Sequence, residues 1–162
     1  FYSGLGYWLN KKPYLIPRDG KKLDASSFVS LEDILLNLSK LSVLENINSI
    51  TIYLDVKYIN FEESVENYKY PELSRKLCLL ASSSPKETSI EIDDMKHSIF
   101  SYFLMKGLKG DAYGDDKILE IGELAEYLYR KIPDYTKNLE NGLLQNPEFI
   151  GSDLKRVLID LR

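Results

Sequence analysis

Apolar and polar positions follow two different periods along this chain, and each change of period marks an expected element. Leu31, Ile34, Leu35, Leu38 and Leu41 recur at the three-and-four spacing of one helix face. Ser30 precedes them with Asp33 three residues on, a capping-box arrangement with Asp in place of Glu or Gln. A helix is therefore predicted to start there. Ile47–Leu54 is apolar on both parities apart from Asn48, Ser49 and Thr51, the pattern of a strand covered on both faces. The run from Lys76 to Ala81 predicts a second buried strand, ended by Ser82-Ser83-Ser84-Pro85.

The remaining elements are read in the same way. Phe1–Tyr2 reads as the end of a buried strand, with Ser3-Gly4-Leu5-Gly6 as the loop at its C-terminal edge. Lys12–Pro17 is a short strand, and Arg18-Asp19-Gly20 a turn. The polar, mixed stretch from Phe61 to Leu73 predicts a loop with one helical turn. Asp93 or Asp94 is expected to cap a helix reaching Gly107, with Ile99, Phe100, Phe103, Leu104 and Leu108 on its apolar face. A further helix is predicted from Ile121 to Ile132, stopped by Pro133, then a loop around Gln145 to Glu148 and a last strand at Val157–Leu161. Strands alternating with helices predict an α/β layer structure with a mostly parallel sheet. Sheets of that kind place their sites beyond the C-terminal strand ends. Leu5, the Asp55–Lys57 segment and the Ser82–Ser84 segment then converge on one edge.

Composition narrows the function classes. The 162 residues suit one domain spanning 1–162, and 44% apolar with 28% charged residues is an ordinary globular balance. A formal charge of -4 gives no basic footprint, so nucleic acid is not an expected partner. No apolar run approaches the ~18 residues of a membrane span. A single cysteine, Cys78, precludes an intrachain disulfide and suits a reducing compartment, so a cytoplasmic location is expected. Zinc-ligand spacing, a phosphate-cradling glycine loop and a dinucleotide fingerprint are all absent from the sequence, and no cofactor is expected.

Four segments carry a resemblance. Tyr2-Ser3-Gly4-Leu5-Gly6 is followed by Tyr14-Leu15-Ile16-Pro17, then by a strand ending in Asp55-Val56-Lys57-Tyr58. Next come Leu79-Leu80-Ala81-Ser82-Ser83-Ser84 with Glu87-Thr88-Ser89, and the helical stretch from Phe100 to Gly110. In order and spacing they resemble the caspase and metacaspase family of cysteine endopeptidases, whose motifs read Tyr-Ser-Gly-His-Gly and Asp-Ala-Cys-Tyr/Phe-Ser-Gly. The resemblance implies a three-layer caspase-like sandwich, with this chain as its C-terminal two-thirds and the N-terminal strands missing. An open apolar sheet edge beside Phe1–Tyr2 would follow, a template for strand addition. Leu5 stands where the family has its general-base histidine, and Lys57 where it has the nucleophilic cysteine. Thiolate attack with imidazole proton transfer needs both groups. The resemblance thus implies a catalytically inactive domain acting as a binding or regulatory module. Asp55, with Ser82 and Ser83, corresponds to the wall of the pocket for a basic residue. The implied partners are a protein or basic peptide in the vestigial cleft, the missing N-terminal segment, or a homologous subunit.

Other chemistry in the chain points elsewhere. An enzyme using Lys57 with Asp55 is the alternative, and it requires an amine freed of its proton by burial or a neighbouring cation. Asp55, two residues away on one strand face, is instead expected to pair with Lys57 and hold it charged. Cys78 lies in an apolar run where a thiol is inert, and His97 reads as a structural histidine rather than its dyad partner. The segment Gly110–Lys117 resembles the acidic turn of bacterial metacaspase-like proteins and invites a calcium reading. Counted from Asp111, however, loop positions three, six and twelve are Tyr113, Asp116 and Gly122. An EF-hand needs an oxygen ligand, glycine and glutamate there, so a solvated acidic turn is expected.

Overall fold

The computed structural model describes residues 1–21, 24–60, 65, 68–84, 86–92, 96–139 and 143–162. Strands β1 (Tyr2–Leu9) and β2 (Lys12–Leu15) form a hairpin closed by Asn10 and Lys11, both at positive φ (51° and 65°). A two-residue turn with both centres left-handed matches the twist of the strands it joins. Next come β3 (Val29–Ser30), α1 (Leu31–Leu41), β4 (Ile50–Tyr58) and β5 (Leu77–Ala81). A small hairpin, β6 (Glu91–Ile92) and β7 (His97–Ser98), leads into α2 (Ile99–Lys106) and a π-type turn at Gly107–Asp111. Strand β8 (Ile118–Glu120) then feeds α3 (Ile121–Thr136), followed by β9 (Glu148–Ile150) and β10 (Val157–Asp160).

The main sheet runs β3-β2-β1-β4-β5-β9. Its three central strands, β1, β4 and β5, are parallel, whereas β2 pairs antiparallel to β1, β3 to β2 and β9 to β5. The sheet is therefore mixed, with a parallel centre and short antiparallel flanks. Helices pack on both of its faces. Trp8, Leu54, Val56, Tyr58 and Leu79 form one cluster with Leu31 and Leu35 of α1. Cys78, Leu80 and Tyr53, of the opposite parity, meet Ile99, Phe100 and Leu104 of α2 and Ile121, Leu124 and Leu128 of α3. Each fully buried side chain of this kind stabilises the fold by about 1.5–3 kcal/mol.

Ser30 caps α1 as its sequence predicts, its hydroxyl accepting the Asp33 N–H at 3.2 Å. Elsewhere the elements differ from expectation. Ser3-Gly4-Leu5-Gly6 is not a loop but the body of β1, because β4 continues past Leu54 to Tyr58 and offers a parallel partner from Tyr2↔Leu54 to Gly6↔Tyr58. Gly6 is required there by close approach: a Cβ would lie 2.5 Å from Val56 Cγ1 and 2.6 Å from Tyr58 Cε1. Helix α2 is capped by Ser98, whose hydroxyl accepts the Ser101 N–H at 3.0 Å. Asp93 and Asp94 lie outside the described residues, as does much of the predicted loop from Phe61 to Leu73. Helix α3 runs through Pro133 to Thr136. Proline forfeits one N–H bond, but Ile132 and Thr136 on either side are fully buried, and that packing carries the helix onward.

Arg156 ties the C-terminal segment to the main sheet. Its guanidinium donates to the carbonyls of Ile50 (3.1 Å) and Arg75 (2.8 Å), at the entry ends of β4 and β5. No helix among the described residues is long and apolar enough to cross a membrane.

Candidate functional site

The geometry of β1 and β4 decides what the site contains. The two strands run parallel in register, so Ser3 sits beside Asp55 and Leu5 beside Lys57. Neighbouring strands are about 4.8 Å apart, and residues two apart share a face. Leu5 and Lys57, from distant parts of the sequence, therefore stand side by side one step above Ser3 and Asp55. The Ser82 segment joins the same level: the Ser82 N–H donates to the Leu54 carbonyl at 2.7 Å, and the Val56 N–H to Ser82 Oγ at 3.2 Å. The three segments expected to converge do so.

Asp55 is only 2% exposed and is ringed by serines. Its Oδ1 accepts from Ser89 Oγ at 2.6 Å, and its Oδ2 from Ser101 Oγ at 2.5 Å and from Ser98 Oγ. A buried carboxylate demands such donors, because an unpaired charge in the interior is expensive. The ring draws on the segment after β5 and on the first turn of α2. Lys57 is half exposed and, contrary to the pairing expected from their shared strand face, does not meet Asp55; its Nζ lies 3.4 Å from Glu91 Oε2 on β6. The physical reason is that three hydroxyls, one from the segment after β5 and two from the start of α2, already satisfy Asp55, while Glu91 reaches the open end of Lys57.

Ser82 and Ser83 are buried and engaged in holding the chain. Gln145, fully buried, donates through Nε2 to the Ser82 carbonyl (2.8 Å) and accepts the Ile90 N–H on Oε1 (2.9 Å), bracketing the segments on either side of Ser89. Ser83 Oγ points to the Glu87 carbonyl at 3.4 Å. Cys78 is fully buried at the level of Thr51, two same-face steps below Asp55, and burial pushes its thiol up. Arg156 Nη1 donates to its sulfur at 3.2 Å. His97 lies on β7, exposed, at the rim of a cavity above the ring. Cys78 and His97 thus belong to different places.

That cavity encloses about 800 Å³ between the start of β1, β4, the β6–β7 hairpin and α2. Tyr53, Ile92, Leu104, Met105 and Leu108 give it apolar walls, Ser98 and Ser101, both bonded to Asp55, give it polar groups with Ser3, and Glu91 and Lys96 bring one charge of each sign to its lining. Its size and lining suit a ligand side chain or small molecule. Burial holds the Tyr53 phenol up at about 12, so this wall stays neutral. The acidic turn behaves differently. Asp111, Asp115 and Asp116 are all exposed. Tyr127 donates to Asp111 Oδ2 at 3.3 Å, Asp116 Oδ1 accepts the Ile118 N–H, and among the described residues no cluster of potential metal ligands forms.

Sequence reasoning singled out Asp55 but missed the role of Ser98 and Ser101. Ser98, three residues before Ser101 at the head of an apolar run, carries a serine-cap signal that the aspartate pair upstream obscures. Gln145 and Arg156 gave no signal, since their partners lie far away in sequence. No protein-family model matches this chain, and no curated protein matches it.

Proposed function

We propose that this chain is a caspase-like domain, a three-layer sandwich without peptidase chemistry, that binds a basic peptide side chain beside Asp55 and does not cut the peptide. The observation that carries the reading is the pair of adjacent levels on β1 and β4. Leu5 and Lys57 stand side by side where a dyad would be needed, with no imidazole and no thiol, while Asp55 one step away keeps a full set of hydroxyl donors next to a cavity. The Lys57–Glu91 pair supports a partner-facing role for that lysine rather than a nucleophilic one. The domain acts in this reading as a binding or regulatory module, cytoplasmic, with a protein or basic peptide as its partner.

The test is equilibrium binding of arginine- and lysine-containing peptides by fluorescence anisotropy, with the peptides recovered and weighed afterwards. Retained peptide of unchanged mass is expected, with affinity falling about tenfold in Asp55→Asn, the cost of about 1.4 kcal/mol of lost charge attraction. Cleaved peptide, with cleavage lost in Lys57→Ala, would overturn the reading in favour of a Lys57-based enzyme.

A further inference from the structure

Strand β4 and the β6–β7 hairpin meet rung by rung. Asp55 and Lys57, two apart on β4, share one face of their strand. Glu91 and Ser98 are cross-strand partners on the hairpin, and residues directly opposite one another share a face with Cβ atoms about 5 Å apart. The two pairs match in order: Ser98 donates to Asp55, and Lys57 Nζ lies 3.4 Å from Glu91 Oε2. The first rung is buried. In the second, the Lys57 and Glu91 side chains are 47% and 66% exposed.

Asp55 itself is closed to a guest. It is buried, and Ser89, Ser98 and Ser101 occupy both of its oxygens. Among the described residues lining the cavity, the carboxylate is Glu91, and Lys57 already holds it. Three features let an incoming arginine displace that lysine. The lysine contact is long, single and solvated, the kind of ion pair that contributes little. A guanidinium offers a carboxylate two parallel N–H donors, which an ammonium does not. Tyr53, Ile92, Leu104 and Met105 line the same cavity and cover the methylene stem of the guest. Lys96, exposed and also in the lining, puts a second cation near the site. Removing either lysine therefore changes the local field, but only a paired lysine acts through Glu91.

We infer that Glu91 takes the guest cation directly and that Lys57 is a built-in competitor for it, an internal ammonium that an incoming arginine displaces. This rests on the proposed binding of a basic side chain and names the residue that sets its charge preference. The probe is a fluorescent pentapeptide, capped at both ends, with one central arginine; lysine and citrulline forms are titrated alongside by anisotropy. The proteins are the unaltered chain, Lys57→Met, Glu91→Gln, Lys96→Met, and each lysine variant combined with Glu91→Gln. All three side chains are solvated, so their replacement leaves the fold in place. Lys57→Met is expected to tighten arginine binding about threefold, and Glu91→Gln to weaken it about tenfold. Without Glu91, the Lys57→Met gain is expected to shrink to the size of the Lys96→Met effect, which stays the same in both backgrounds. The arginine form is expected to bind best and the citrulline form worst. A Lys57→Met gain of equal size with and without Glu91 overturns the inference, as does weaker binding by Lys57→Met or unchanged binding by Glu91→Gln. The reading beneath survives those results while the arginine form binds better than the citrulline form. Absence of binding by both the unaltered chain and Lys57→Met overturns the two together.

Discussion

Two neighbouring levels of the same strand pair are held in different ways. At one, Ser3 faces Asp55, and the carboxylate is buried, fully hydrogen-bonded and built into the start of α2. At the next, Leu5 faces Lys57, and the pair is partly open to solvent, with only a surface ion pair to Glu91. The lower level is held by buried side-chain hydrogen bonds; at the upper one the backbone ladder holds the strands, and the side-chain bond among the described residues is the solvated Lys57–Glu91 pair. A side chain built into packing is costly to replace, and one held by a solvated ion pair is not.

The contrast predicts a graded set of mutational costs. The largest belongs to Asp55→Ala, which strands three hydroxyls around a void. Loss of about 3 kcal/mol in urea unfolding is expected, and a loss below about 1 kcal/mol would mean that the ring is not structural. Gly6→Ala comes next: the new methyl meets Val56 and Tyr58 on the opposite face, and about 2 kcal/mol of destabilisation is expected from overpacking. A neutral outcome by the same measurement would restore the loop reading of this segment. Lys57→Ala is the smallest. Exposed ion pairs contribute little, so its unfolding free energy should fall by less than about 0.5 kcal/mol, and a large loss would erase the distinction between the levels.

Much of this layout was legible in the sequence. Helical spacing behind Ser30 located α1, and the two-sided apolar runs located β4 and β5, because burial on both faces leaves a pattern in the residues themselves. Two kinds of feature were not legible. The first is where a strand ends: Ser3-Gly4-Leu5-Gly6 looks like a loop, and only its register against Val56 and Tyr58 makes it strand. The second is long-range polar pairing. Asp55 finds donors 34, 43 and 46 residues away, Gln145 brackets a segment more than 50 residues earlier, and Arg156 reaches back to Ile50 and Arg75. No local periodicity encodes such contacts. Helix α3 shows the same thing in reverse, since tertiary burial of Ile132 and Thr136 overrides the local stop signal of Pro133.

The central claim is that the scaffold keeps the site and lacks only the two reacting groups. Peptidase assays on arginine- and lysine-containing peptides test it most directly, comparing the natural sequence with the Leu5→His, Lys57→Cys double variant and with each single variant. The account predicts no turnover by the natural sequence or either single variant, and measurable cleavage after basic residues by the double variant, abolished by thiol alkylation. Turnover by the natural sequence that Lys57→Ala removes would contradict it, as would a folded double variant that binds basic peptides and still cuts none.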